Sequence, residues 1–367
     1  MKKATQRLTA ILFCLFIGGF GVLHILLPDR QFSEVENRYL AQFPTFSWEK
    51  LKDGTYTAGI ETYLEDQFPF RDDWMGLKTR YEWLLGKREF NDVYLCGDRL
   101  ISKVTKSEKA DKNLTYVQQL MEKTDLPVYF GLIPTAAEVL RDQLPDGAPT
   151  MDQLSYIQQS KDSGAIYVDM AGVLAEHADE DIFYRTDHHW TSLGAYYGYT
   201  ALMEAMGVTP EPLGEAAIVS EDFNGTLYSS SGVHWLTPDT MERYVDGEGI
   251  TVTVNDGMTT STHGLYVEEN LEGKDKYTYF MGGNNPLYII ESPNALTDQK
   301  LLVVRDSYSD SLAPFLSQYF SEIHLLDLRY YRTPVAAYAE QNGMDAIFVC
   351  YSVDNFQKDT DVVYLGQ

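Results

Sequence analysis

Residues 184–194 carry the densest group of titratable side chains in this chain. They read YRTDHHWTSLG, which places Asp187, His188 and His189 side by side in a protein with only seven histidines. Histidine changes its protonation near neutral pH. A carboxylate can hold one imidazole nitrogen and leave the other free to take a proton from a hydroxyl. The segment therefore predicts a general base with its orienting acid, a metal site, or a polar loop without chemistry.

A second segment, LLVVRDSYSDS, puts Ser307 directly after a strand and directly before a helix. A hydroxyl there stands at the carboxyl end of a sheet, and the following backbone N–H groups lie near a helix N-terminus, where they can stabilise an oxyanion. The simpler interpretation is a helix cap, since Ser and Asp are favoured caps. Asp187 and His189 shift the balance toward a nucleophile, because an Asp-x-His pair can take a proton from such a hydroxyl.

The metal alternative is weaker. Asp187, His188 and His189 are ligand types for zinc, but adjacent histidines are hard to aim at one ion, and no distant Cys/His set completes the site. We predict no metal and no cofactor, and we interpret Trp190 as packing that fixes the loop.

The three cysteines are Cys14, Cys96 and Cys350, and they follow no metal-binding spacing. Cys350 is predicted to be a packed thiol in a buried strand. A Cys96–Cys350 disulfide is the alternative.

The elements around these segments alternate between apolar strands and helices. VYFGLIP, AIYV, KLLVV, EIHLLDL and AIFVCYS are apolar runs separated by helical segments. Strands without polar alternation indicate a parallel sheet covered on both faces, and ligands bind outside the carboxyl ends of such strands. The predicted fold class is α/β, with a parallel sheet flanked by helices.

The N-terminus predicts a membrane anchor. Lys2, Lys3 and Arg7 precede an apolar run over residues 10–27 without formal charge, close to the ~20 residues that cross a bilayer. Positive charge before the run predicts an N-terminus inside the cell and the rest outside. A cleavable signal peptide is the rival, but the run is long for one and no clean small-x-small site follows. We favour a retained single-pass anchor in the cell membrane.

The chain is predicted to have four parts. They are a cytoplasmic tail and anchor (1–28), a helical membrane-proximal collar (29–90), an α/β domain (91–207 with 296–367), and an antiparallel β-rich insertion (208–295). The insertion is rich in Gly, Thr, Val and Tyr, and alternates around a turn at Asn255-Asp256-Gly257.

Composition excludes one class of partner. The formal net charge of the 367 residues is -25, and such an acidic surface repels phosphate backbones, so we predict no nucleic-acid binding.

The motif in TDHHWTSLGAYYGY resembles the signature of the DHHW family of bacterial envelope proteins. These are similar to the alginate O-acetyltransferase accessory proteins, which have a D-x-H-W-T motif followed later by a catalytic serine. FSEVENRYLAQFP, YLEDQFPFRD and VVRDSYSDSLAPFL also resemble the family, so the resemblance covers most of the chain after the anchor. It implies an SGNH-hydrolase-like fold in which the Asp-x-His element precedes the serine.

Carried over by position, the resemblance makes Ser307 the nucleophile, His189 the general base and Asp187 the orienting acid. The sequence departs from the usual G-D-S, because Arg305 stands at the Gly position, and this puts the ordinary oxyanion contribution there in doubt. Arg305 is equally well explained as a structural ion-pair partner. Candidate oxyanion or substrate groups are Tyr308, Arg305, Tyr331, Asn355 and Asn285, with His188 and Trp190 in support.

The function this predicts is a membrane-anchored, outward-facing O-acetyltransferase that modifies a polysaccharide. The resemblance also implies a membrane-bound O-acyltransferase partner that exports the acetyl group. Two alternatives stay open: an acetylesterase with the same triad, and a non-catalytic scaffold for polysaccharide assembly.

Overall fold

The protein is described by a computed structural model that covers residues 2–33, 35–36 and 38–367. It divides into two compact units, Met1–Lys87 with Gly232–His234, and Arg88–Ser231 with Trp235–Gln367. The four-part organisation remains a prediction, and each unit is described by itself.

The first unit is mainly helical. Its elements are α1 (Lys2–Leu26), β1 (Phe32–Ser33), β2 (Arg38–Tyr39), α2 (Trp48–Lys52), α3 (Thr55–Asp66) and α4 (Arg71–Leu84). Asp66 at the end of α3 accepts hydrogen bonds from the Arg38 guanidinium and from the Ala41 N–H, which fixes the connecting segment. Over Ala4–Leu26, α1 is long and apolar enough to cross a membrane, and none of its most apolar stretch is buried.

The second unit contains the sheets and the helices that cover them. Its strands are β3 (Glu89–Phe90), β4 (Val93–Cys96), β5 (Arg99–Ser102), β6 (Val128–Ile133), β7 (Ile166–Tyr167), β8 (Ala217–Phe223), β9 (Asp239–Arg243), β10 (Thr251–Asn255), β11 (Thr260–His263), β12 (Leu287–Glu291), β13 (Lys300–Arg305), β14 (Glu322–Leu326) and β15 (Ala346–Ser352). Its α-helices are α5 (Ala110–Met121), α6 (Ala136–Val139), α7 (Gln153–Ser160), α8 (Met170–Glu176), α9 (Ser192–Ala205), α10 (Thr226–Ser231), α11 (Ser309–Tyr319), α12 (Val335–Gln341) and α13 (Val353–Lys358). Single 3₁₀ turns lie at Arg141–Gln143, Lys161–Ser163, Glu268–Glu272, Lys276–Tyr279 and Asp361–Gly366.

The main sheet is mixed. Its strand order is β11-β10-β12-β14-β13-β15-β6-β7. The strands from β14 to β7 pair in parallel, whereas β12, β10 and β11 extend the sheet in antiparallel fashion. The prediction of a mixed α/β architecture is confirmed. The sheet is not parallel throughout, because strands from the segment predicted as an insertion continue it.

The central parallel strands are apolar because helices cover both of their faces. Every residue of β15, and every residue of β13 after Lys300, is buried. Their registers pair Arg305 with Cys350, and Ser352 with Ile133. The carboxyl ends of β13, β15 and β6 therefore lie side by side at one edge.

The cysteines are free thiols, so the disulfide alternative is wrong for this structure. Burial raises the pKa of Cys96 to about 11, and Cys350 is fully buried within β15, as predicted for a packed thiol.

Candidate active site

Ser307, His189 and Asp187 form a continuous line of hydrogen bonds. His189 Nε2 lies 2.7 Å from Ser307 Oγ, and His189 Nδ1 lies 2.6 Å from Asp187 Oδ1. Asp187 and His189 are buried, whereas Ser307 is partly exposed. Since an ionised carboxylate only accepts hydrogen bonds, the Nδ1–H of His189 donates to Asp187, and Nε2 accepts from the serine hydroxyl.

Asp187 is held by four hydrogen bonds. Its Oδ1 also accepts from the His189 N–H at 3.0 Å, and its Oδ2 accepts from the N–H and hydroxyl of Thr226 at 2.7 and 2.9 Å. Burial alone would raise the pKa of this carboxyl, but the imidazoles of His188 and His189 and the donated hydrogen bonds outweigh burial, and the pKa lies well below its ordinary value. Asp187 therefore remains a carboxylate at neutral pH.

The loop that carries the histidines is anchored at both ends. Phe183 and Trp190 form an antiparallel bridge that closes it. Asp239, at the start of β9, accepts from the N–H groups of Arg185 and Thr186, each at 2.8 Å. Asp239 is a positioning residue that the sequence analysis missed, because nothing in its local sequence links it to residues 185–186.

Trp190 joins the loop that carries the two histidines to the turn over residues 306–308, which is called the serine turn below. Its indole is fully buried, and Nε1 donates to the Tyr308 carbonyl at 2.9 Å and to Ser311 Oγ at 3.0 Å. Its ring packs on α9 where Gly198 leaves room, because a Cβ on Gly198 would lie 2.6 Å from the ring. The buried position of Trp190 agrees with its predicted role in packing, which stays a prediction.

The buried face of α9 differs from the prediction. The apolar residues Leu193, Tyr197, Ala201 and Ala205 follow helical spacing and predict one buried face, but of these only Ala201 is buried. Gly194 and Gly198 face inward instead, the first beside the Ile182 carbonyl and the second beside the indole.

Asp306 connects the serine turn to β15. Its Oδ1 accepts from the Tyr308 N–H at 3.1 Å, while its Oδ2 accepts from the Ser352 N–H, the Ser352 hydroxyl and the Asn355 amide at 2.7–2.9 Å. The Tyr308 N–H, a predicted oxyanion donor, is therefore already engaged. Asn355, another candidate, is held at the site by this same carboxylate.

Tyr277 covers the His189 ring, and no feature of the sequence predicts this contact. Its ring stacks on His189 with centroids 3.8 Å apart and planes 8° apart, and its hydroxyl donates to the Ser307 carbonyl at 3.1 Å. It comes from a 3₁₀ turn within the predicted insertion, and one tyrosine among 26 carries no signal of such a contact.

Three predicted candidates lie elsewhere. Arg305 is fully buried and pairs with Asp310 at 2.8 Å, which agrees with the structural alternative. Burial raises the pKa of Asp310 to about 7, although the guanidinium opposes the rise. Asn285 donates to the Tyr288 hydroxyl at 2.8 Å, and Tyr331 packs edge-on against Tyr338.

His188 lies beside the hydrogen-bonded line of Asp187, His189 and Ser307 without being part of it. Its Nδ1 lies 2.7 Å from Thr226 Oγ1, its ring lies 3.9 Å from that of His189, and its carbonyl accepts from the Tyr308 hydroxyl. It lines a cavity of about 210 Å³ beside the site, together with Asp187, Tyr308 and Asn355.

Asp187, His188 and His189 could in principle hold a cation, since one ligand atom from each lies within 4.8 Å of the others. Both nitrogens of His189 are, however, already hydrogen-bonded, to Asp187 and to Ser307. The arrangement is better suited to moving a proton than to binding a metal.

Comparison with known proteins assigns the family. The DHHW protein family model matches residues 36–103 and 90–326, and the chain belongs to this family, as the resemblance predicted. A curated relative from Pseudomonas syringae pv. tomato, described as a probable alginate O-acetylase AlgJ, is 24% identical over 216 residues. The match covers 52% of this chain and 54% of the relative, so the chain spans about half of that relative's length.

Solved structures share the fold. A DHHW family protein from Eubacterium siraeum superposes with a TM-score of 0.63 at 24% identity, over 74% of this chain and 96% of that one. PatB1 from Bacillus cereus, determined with a sulfonyl adduct, superposes with a TM-score of 0.61 at 20% identity, over 75% of this chain and 100% of that one.

Proposed function

We propose that this protein is an O-acetyltransferase of the cell envelope that moves acetyl groups onto hydroxyls of a polysaccharide. The observation that carries the proposal is the hydrogen-bonded line from Asp187 through His189 to the partly exposed Ser307. A buried carboxylate–imidazole pair beside a hydroxyl is how enzymes activate a serine nucleophile. The match to a probable alginate O-acetylase supports acetyl transfer to a polysaccharide as the reaction.

The chemistry has two half-reactions. Ser307 Oγ attacks the carbonyl carbon of the acetyl donor while His189 Nε2 takes the hydroxyl proton; the tetrahedral intermediate then expels the donor's leaving group, which receives that proton. In the second half, a sugar hydroxyl gives its proton to Nε2 and attacks the acetyl-serine. Ser307 Oγ departs and regains the proton.

The oxyanion must be stabilised by donors other than the Tyr308 N–H. We assign this role to the Ser307 N–H and the Asn355 side-chain amide. The amide has two hydrogens, of which one bonds to Asp306 at 2.8 Å, so the carboxylate holds the group in place and the second hydrogen can serve the intermediate.

The position of the nucleophile supports an SGNH-hydrolase-like assignment. Ser307 follows a central parallel strand, and its base comes from an earlier Asp-x-His element. Arg305 stands at the position of the usual glycine, and it forms a buried ion pair with Asp310.

The membrane part of the proposal rests on α1. Its apolar surface is exposed, and within the first unit Phe20 stacks on Phe68 at 5.3 Å, which connects the helix to the collar. We propose that α1 is a retained single-pass anchor with the catalytic unit outside the cell. A membrane-bound O-acyltransferase would then supply the acetyl group.

The decisive experiment is to trap the acetyl group. The protein is incubated with 4-nitrophenyl acetate, quenched in acid and digested, and the peptide containing Ser307 is examined by mass spectrometry. We expect acetylation that is lost in Ser307→Ala and kept in Ser321→Ala, a serine remote from the triad. Phenylmethanesulfonyl fluoride should label the same serine.

The outcomes separate the alternatives. Acetyl-serine that transfers to an added oligosaccharide supports the transferase. Acetate release without modified sugar would identify an esterase. Absence of both acetylation and sulfonylation at Ser307 would reject catalysis and favour a scaffold.

A further inference from the structure

The triad leaves the first histidine of the motif unexplained. His188 Nδ1 lies 2.7 Å from Thr226 Oγ1, and that hydroxyl lies 2.9 Å from Asp187 Oδ2. The Thr226 hydroxyl has one hydrogen, which must go to the carboxylate because the carboxylate can only accept. Thr226 Oγ1 therefore accepts from His188, whose proton is fixed on Nδ1.

The consequence is a lone pair on His188 Nε2. Although 34% of the side chain is exposed, burial of the ring, followed by the neighbouring charge of His189, lowers the pKa of His188 to about 4. The negative charge of Asp187 opposes this shift without reversing it. At neutral pH the ring is uncharged, and Nε2 is an acceptor of hydrogen bonds.

His188 belongs to the wall of the cavity of about 210 Å³ described above. Its lining includes the polar residues Thr135, Asp354 and Asn355 and the apolar residues Leu100 and Leu227. Pockets for drug-sized ligands have about 300–1,000 Å³. The cavity is therefore sized for one ring-sized unit.

We propose that this cavity binds one neutral, hydroxyl-rich sugar unit of the acceptor, with His188 Nε2 accepting a hydrogen bond from one of its hydroxyls. The inference rests on the proposed function and assigns the acceptor subsite for it. Every sugar hydroxyl brings a donor, which matches an imidazole lone pair and the Asp354 carboxylate. The C–H face of the ring matches Leu100 and Leu227. An acetyl group has no donor and needs neither acceptor.

The position of the cavity agrees with this role. Asp187 and Tyr308 line it as well, so it adjoins the catalytic line rather than a remote surface. A ring held there would lie beside Asp187, which holds the base, and beside Tyr308, which follows the nucleophile.

The test uses two substitutions of His188, one that keeps the hydrogen-bond donor at the Nδ1 position and one that keeps an acceptor at the Nε2 position. In His188→Asn the amide nitrogen takes the place of Nδ1 and can still donate to Thr226, but no acceptor replaces Nε2. In His188→Gln the longer amide places an acceptor oxygen near the position of Nε2. His177→Asn, at a histidine that contacts Glu180 outside the site, is the matched control.

The measured quantity is the ratio of acetylated sugar to free acetate, which shows how acetyl-Ser307 is divided between sugar and water. The full chain is given 4-nitrophenyl acetate as donor, and maltotetraose, cellotetraose or chitotetraose as acceptor; acetylated sugar and free acetate are both quantified. This ratio does not depend on how fast the serine is acetylated. Loss of one hydrogen bond should lower the ratio about five- to tenfold in His188→Asn, while His188→Gln recovers most of it and His177→Asn leaves it unchanged.

A second variant guards against a folding defect. Ala136→Leu narrows the cavity from the wall formed by α6 without removing a hydrogen bond of His188, and it should also lower the ratio. A ratio that is unchanged in His188→Asn and in Ala136→Leu would overturn the inference, as would equal losses in the Asn and Gln variants. Acetylation of Ser307 without wild-type transfer to any of the three sugars would identify an esterase and reject the transferase on which the subsite rests. Failure to acetylate Ser307 would reject catalysis altogether.

Discussion

At the scale of single residues, Thr226 links the two histidines of the motif. Its N–H and hydroxyl hold Asp187, and its hydroxyl oxygen fixes the tautomer of His188. Gly225 precedes it, and a Cβ there would clash with the Asp187 carboxyl, so glycine is required for the close approach. These two residues lie in a segment that the sequence analysis assigned to the β-rich insertion.

Asp187→Asn should reduce kcat/KM for 4-nitrophenyl acetate by about a thousand- to ten-thousand-fold. An amide has one acceptor oxygen, whereas the two carboxylate oxygens accept four hydrogen bonds, so His189 would lose its oriented tautomer. Esterase assays with a circular dichroism check on folding would measure this. Asp179→Asn, at an exposed carboxylate, should have full activity. A loss below about tenfold would contradict the role of Asp187.

The low pKa of His188 predicts a pH effect on stability. The folded-state pKa is about 4, and the unfolded value is about 6.5. Between these values the unfolded chain binds the extra proton, so this group's contribution to stability is present above about pH 6.5 and is lost as the pH falls toward about 4.

The free energy of unfolding should therefore depend less steeply on pH in His188→Gln than in the wild type within that window. Denaturant titrations at several pH values would measure the slope, with His177→Asn as control. An identical slope in wild type and His188→Gln would mean that His188 titrates normally.

The candidate site residues could be predicted where a short stretch of sequence marks them. Asp187 and His189 stand two positions apart, and Ser307 stands at a strand end, so their types and spacing carried the prediction. Asp239, Asp306 and Tyr277 act through partners that are distant in sequence, and no local pattern marks them.

At the scale of elements, Trp190 and α9 position His189 against Ser307. The indole packs on Gly198 and donates to the Tyr308 carbonyl and to Ser311, so it connects the loop and α9 to the start of α11. The strands β6, β13, β14 and β15 were predictable from their apolar runs. The buried face of α9 was not, because a tryptophan outside the helix determines it.

Gly198→Ala should destabilise the protein by about 1–3 kcal/mol by overpacking, and it should lower activity by displacing Trp190. In an exposed helix the same change usually stabilises by up to about 1 kcal/mol. Gly76→Ala in α4 is the matched control, since a Cβ there meets its nearest neighbour only at 4.0 Å. Denaturant midpoints and esterase rates would test both variants; an equal response of the two would contradict the packing argument.

At the scale of the whole molecule, the sequence predicted a sheet covered by helices and a separate β-rich insertion. It did not predict that strands of the insertion extend the sheet. The hairpin β10–β11 was predictable from its turn. That β12 would pair with β14 and extend the main sheet depends on long-range contacts that no short window contains.

Removing residues 1–27 should move the protein from the membrane fraction to the soluble fraction and leave esterase activity within about twofold, because α1 supplies the exposed apolar surface and no member of the triad. Fractionation and activity assays would measure this. The mass of the native N-terminus would check retention, and a chain that lacks α1 in the membrane preparation would identify a cleaved signal instead.

Strand β15 is the last strand of the chain, yet it lies between β13 and β6 in the sheet. Strands β13 and β6, which flank β15, are therefore joined only after residue 352 has left the ribosome. Until then, Asp306 lacks its Ser352 partner, and the serine turn lacks the hydrogen bonds that tie it to β15. The geometry around Ser307 would therefore be completed late in synthesis, after the strands on both sides of β15 have been made.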